Sequence, residues 1–136
     1  MTSDGKRQLL DELLGPLHMH FLAAASAYDD YLANGKSFLF ASSLRRTNAS
    51  ARELLLHRGH LLPASLRPDA VGLLRHYDVW LTLWDELAAR TKPAPADSFV
   101  FANRVTFPKE AQARLEALRE RLEASVRSRD GSGGGT

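Results

Sequence analysis

The sequence predicts an all-α protein: a four-helix up-down bundle with a short extended insert between helices three and four. Three observations predict it. Leucine, alanine and aromatic residues recur at three- and four-residue steps over long stretches, the period of an amphipathic helix and not of a strand. The breaks between these stretches are few and carry glycine or proline, at Gly15-Pro16, Asn34-Gly35, Gly59 with Pro63, and "KPAPADS" at residues 92–98. The connections are short, which makes antiparallel neighbours the economical arrangement.

The first helix is expected to run to Leu32 or Ala33. Leu10, Leu13, Leu14, Leu17, Phe21, Ala24, Ala25, Tyr28 and Leu32 form its apolar stripe, with a turn or kink at Gly15-Pro16. Asn34-Gly35 stops it, because both residues tolerate the left-handed conformation of a helix end. Ser37 is the expected N-cap of a second helix, from Phe38 to about His57, with Gly59 as its left-handed stop. The third helix, residues 68–91, places Ala70, Leu73, Tyr77, Trp80, Leu81 and Trp84 on one face, with Pro68 and Asp69 in the first turn. "FVF" at 99–101 is extended and too short for a sheet, so it is expected to lie across the bundle and bury Phe99 and Phe101. Thr106 is the expected cap of the last helix, whose stripe is Ala111, Leu115, Leu118 and Leu122. Glu110–Arg114 and Glu123–Arg127 are spaced as i,i+4 ion pairs.

At 136 residues, 44% hydrophobic and 25% charged, the chain suits one globular domain. That domain is expected to span residues 1–130, with "GSGGGT" at 131–136 as a flexible tail. There is no cysteine, which excludes disulfides, thiolate metal sites and a cysteine nucleophile, and fits a reducing compartment. No apolar run reaches the roughly 18 residues of a membrane span, and the polar Met1–Lys6 start is not that of a signal peptide. A cytoplasmic protein without membrane contact is the expectation. Isoleucine is absent and arginine far outnumbers lysine, a usage that favours GC-rich codons and points to a bacterial source.

The net charge of +2 is unevenly spread. Residues 42–68 carry Arg45, Arg46, Arg52, Arg58 and Arg67 against Glu53 alone, which makes this segment the candidate for anion or nucleic-acid binding. Within it, "RELLLH" spaces Arg52 and His57 as in the Arg-x4–6-His signature, and so resembles HEPN ribonucleases, which are also small helical bundles. The resemblance covers that motif and a generic all-α outline. It implies a metal-independent RNA-cleaving site, usually completed across a dimer, in which Arg52 steadies a phosphate and His57 acts as general acid or base. Between one and two matches at these spacings are expected by chance in a chain with this many arginines and five histidines, and Glu53 beside the arginine departs from the family's usual small or amide side chain.

Other chemistry has less behind it. His57 and His60 have metal-ligand spacing but Gly59 ends the helix between them, so neither a metal site nor a cofactor is expected. Asp29-Asp30 and Asp85-Glu86 diverge on a helix, and no serine stands in a nucleophile turn. Asp78 is placed to meet Arg52 across the bundle. Tyr77, Trp80 and Trp84 form an aromatic ridge that a small bundle need not bury fully, which makes them candidates for a partner-binding face. The leading expectation is therefore a non-enzymatic interaction or accessory protein that binds a protein partner or itself, with no catalytic residue. An RNA-acting protein is the alternative.

Overall fold

The structure is a computed structural model that describes residues 1–134, with side chains through residue 129. The tail expected at 131–136 lies beyond the described side chains. The chain is all-helical, with no strand among the described residues. Helices α1 (Ser3–Leu9) and α2 (Gly15–Ala33) are joined by a π turn, Leu10–Leu14, into one rod, and α3 (Phe38–Arg58), α4 (Arg67–Thr91) and α5 (Lys109–Gly134) follow.

The π turn is how the chain accommodates Gly15-Pro16. Proline has no N–H for the i→i−4 ladder, and its ring meets the carbonyl four residues back. Widening one turn relieves both problems: the Gly15 N–H bonds Leu10 O, and the backbone stays helical throughout. A Cβ on Gly15 would sit 2.9 Å from that Leu10 oxygen, which is why glycine stands there.

Asn34-Gly35 ends α2 as expected, with Gly35 at φ 68°, and Lys36 continues in the left-handed region at φ 53°. Three caps differ from the sequence expectation. Ser37 occupies the N-cap of α3, but its side chain makes no capping bond. The N–H groups of Phe38 and Leu39 are instead satisfied by the carbonyls of Asp97 and Pro95, at 2.8 and 3.0 Å. Gly59 is right-handed (φ −59°) and opens a 3₁₀ turn, Gly59–Leu61, in place of a left-handed stop. α5 begins at Lys109, so Thr106 lies too far upstream to cap it. At the end of α4, Lys92 itself turns left-handed (φ 46°) ahead of Pro93.

Consecutive long helices pack on one another, α2 on α3, α3 on α4 and α4 on α5, and α5 returns to the α1–π-turn segment. The core is split in two. An aliphatic half gathers Leu9, Leu13, Leu14 and Leu17 with Leu55, Leu73 and Leu115. An aromatic half gathers Ala41, Trp84 and Phe99, with Tyr31, Phe38, Trp80 and Phe101 packed around them. The stripes of α4 and α5 are buried as the periodicity predicts, while that of the first helix is buried only as far as Phe21. Tyr28 and Leu32 are exposed.

That difference has a cause in the path of α5. Its Glu116 meets His18 at 2.7 Å and its Arg114 meets Asp69, so its first turns lie level with the start of α2 and the start of α4. From there it follows the aliphatic half towards the N-terminus. Opposite the second half of α2, residues 92–108 carry no helix. They are held by an isolated bridge between Ser37 and Ser98, by Phe99 N–H on Lys36 O, and by His76 Nδ1 on Val105 O.

Candidate functional site

Where α5 stops covering α2, the helices α2, α3 and α4, the first turn of α5 and the 98–107 segment line a cavity of about 960 Å³ between the two halves of the core. All three tyrosines, both tryptophans and four of the six phenylalanines line it. The sequence places them there in three ways. Helix α2 delivers Phe21 and Tyr28 from its stripe and Tyr31 beside it. The α4 ridge delivers Tyr77, Trp80 and Trp84, and the extended segment delivers Phe99, Phe101 and, just beyond, Phe107.

The rings hold one another at contact distances. Trp84 and Phe99 lie 4.9 Å apart between centroids, Phe38 stacks on Trp84 at 5.5 Å, and Trp80 meets Phe101 at 5.5 Å. Trp84 Nε1 donates to Ala41 O and the Tyr31 hydroxyl to Phe99 O, which ties α4 to α3 and α2 to the segment. Exposed residues form the rim: Ala25 and Tyr28 on α2, Lys36 in the α2–α3 turn, Val100, and Lys109 at the start of α5.

The polar groups inside are uncharged. Burial pushes the Tyr77 hydroxyl up to about 12, so it stays a phenol and can donate. Burial lowers His76 from its ordinary value, partly offset by its bond to Val105, so it is a neutral imidazole. Its Nδ1 must carry the proton, because its partner is a carbonyl. Asn103 adds a stitch, giving its amide to His76 O and accepting from Val105 N–H. Burial, and to a lesser degree Tyr28, raises the Tyr31 hydroxyl. The arrangement suits recognition of an apolar or aromatic group by a few well-placed donors.

Tyr77, Trp80 and Trp84 are thus brought together, but not as an outward face. Tyr77 is 3% exposed, Trp84 8%, and Trp80 half-buried. They form an inner wall, because residues 99–107 fold over the ridge. Nothing in the sequence marked Phe21, Tyr28, Tyr31 or His76 as part of the same site. The available signal was the apolar stripe of the first helix, which already carries Phe21 and Tyr28.

The basic segment is differently arranged. Arg52 Nε bonds the Asp78 carboxylate on α4, as expected, and Arg52 Nη1 bonds Glu53 at 2.7 Å. His57 Nε2 takes the other oxygen of Glu53 at 3.1 Å, so Arg52 and His57 meet through a carboxylate and not across a shared open cleft. Arg45 forms a two-bond pair with Asp85 and lies 5.4 Å over the Trp84 ring. Arg58 approaches Glu12 at 3.8 Å. Arg67 ties down the linker through the carbonyls of Leu62 and His60. Arg46 is exposed. Three of the five arginines of residues 42–68, Arg45, Arg52 and Arg58, are therefore met by acids from other helices, which linear counting cannot see.

No three His, Cys, Asp or Glu among the described residues stand together as metal ligands, and no helix among them is long and apolar enough to cross a membrane. The class that fold and site define is an all-helical protein with an aromatic cavity. No family profile, no curated protein and no solved structure matches the chain.

Proposed function

We propose that this protein is a small, cytoplasmic, non-enzymatic binding module, and that what it binds enters the aromatic cavity. One observation carries the reading: nine aromatic side chains converge on an open volume of about 960 Å³. Apolar surface left facing water costs about 25 cal/mol per Å² relative to burial, so such a lining is stabilised by an occupant. The reading takes the four long helices as an up-down bundle with residues 92–108 as its extended insert. It is supported by cross-helix pairs such as Arg45–Asp85 and Arg52–Asp78. It needs no metal or cofactor.

Calorimetric titration with indole tests it. Saturable binding is expected, weakened at least tenfold in Ala24→Phe, where the new ring fills the lining. If no aromatic probe saturates the protein, the reading fails.

A protein partner or a second copy is the other form of the same function. It is favoured by Met19, Leu22 and Leu32, large apolar side chains left exposed on α2. Light scattering should then show a concentration-dependent dimer, or a complex, that Leu22→Glu disrupts while indole binding persists. The RNA-acting alternative has less behind it, because Arg45, Arg52 and Arg58 already face carboxylates and Arg67 faces carbonyls.

A further inference from the structure

We infer that the ligand of the cavity is a small organic anion with a planar aromatic body, its ring held among the aromatic side chains and its negative group by Lys36 or Lys109 at the rim. This rests on the cavity being the binding site.

Charge is the first observation. Among the described residues, Lys36 and Lys109 are the only formally charged side chains that line the cavity. Neither is paired with a carboxylate among the described residues, whereas Arg45, Arg52, Arg114 and Arg119 around the bundle all are. Glu110 follows Lys109 in the first turn of α5, yet it is exposed and not part of the lining. An aromatic cavity whose only charges are positive is selective by elementary electrostatics, since an anion gains and a cation loses on entry.

Placement is the second. Lys36 is anchored by its backbone: its carbonyl accepts from Phe99 N–H, so its side chain starts beside the 99–101 wall. Lys109 opens α5, a 26-residue helix whose N-terminal amides add positive potential at the same point. The two stand at opposite ends of the 98–107 segment, one where it enters the cavity wall and one where it leaves.

Unused donors are the third. The side-chain amides of Asn48 and Gln112 and the Tyr77 hydroxyl line the cavity without a hydrogen-bond partner among the described residues. Among the described residues no buried side-chain polar atom is left unsatisfied, so these groups reach the open space. Each can donate, and a carboxylate or sulfonate accepts without donating. The aromatic body follows from the lining, since offset and edge-to-face ring contacts reward a planar π-system over an alkyl chain of equal area.

The test is calorimetry on the full chain with four probes: 2-naphthoate, its neutral isostere 2-naphthamide, the cation 2-naphthylmethylammonium, and decanoate. Naphthoate is expected to bind roughly tenfold tighter than the amide, the scale of one charge contact near a surface, with the cation weakest. Lys36→Gln or Lys109→Gln should remove that advantage, bringing naphthoate down to the affinity of the amide, with an unchanged helical circular dichroism spectrum showing that the variant folds. Equal affinity for naphthoate and the amide, or an advantage that survives both substitutions, would overturn the anion inference while the cavity reading stands. Decanoate binding as tightly as naphthoate would overturn the aromatic body. Failure of all four probes would instead sink the binding reading itself.

Discussion

His76 on α4 donates from Nδ1 to the carbonyl of Val105, 2.9 Å away, and so pins the segment that walls the cavity to the helix beneath it. Its ring also meets Tyr77 and Phe107 edge-on, at 5.3 and 5.1 Å between centroids. Burial holds its pKa below the ordinary 6.5, so the folded protein disfavours the proton that the unfolded chain accepts. The corresponding stability is fully present above the unfolded value and is lost as pH falls from there through the lowered folded value. Denaturant midpoints between about pH 5 and pH 8 should drop on the acid side in the parent, and drop less in His76→Gln. An identical acid-side slope in both would show that His76 does not carry the effect.

Gly15 should resist substitution although it sits in a helix. Replacing a helical glycine with alanine ordinarily stabilises by up to about 1 kcal/mol. Here the added methyl lies 2.9 Å from a backbone oxygen that cannot swing away. Gly15→Ala is expected to cost about 1–3 kcal/mol, read from chemical denaturation. A gain in stability would mean that the π turn relaxes at no cost.

Phe99 anchors the aromatic half. It is 2% exposed and touches Phe38, Trp84 and Phe101, while its neighbour Val100 points outward at 54%. Phe99→Ala should destabilise by about 3–5 kcal/mol and Val100→Ala by almost nothing. Comparable losses at the two positions would contradict the alternation of the segment.

Arg52 and His57 should prove dispensable for any RNA contact. Both are occupied by Glu53, and Arg52 by Asp78 as well. RNA binding measured at low and moderate salt should be weak and the same in the parent and in Arg52→Ala/His57→Ala, since a phosphate site would show a salt-dependent loss on removing its cations. Cleavage or tight binding abolished by the double substitution would restore the nuclease reading.

Local sequence settled what depends on near neighbours. The three- and four-residue spacing of apolar residues located each long helix, because a 3.6-residue turn puts those positions on one side whatever lies opposite. Asn34-Gly35 and "KPAPADS" located the stops, because left-handed backbone and missing N–H groups act within a residue or two. Leu73, Tyr77, Leu81 and Trp84 were legible as core for the same reason.

The tertiary structure decided everything that needs a partner from afar. Ser37 makes no side-chain cap because the carbonyls of Asp97 and Pro95, some sixty residues on, reach the start of α3 first. Arg114 pairs with Asp69 and not with Glu110, because α4 lies alongside. Tyr28 and Leu32 belong to a stripe that periodicity marks as core, yet they stay exposed because α5 covers only the other half of the first helix. The cavity exists for that same reason. A helical pattern states which side of a helix wants to be buried, and only the lengths and paths of the other helices state whether anything arrives to bury it.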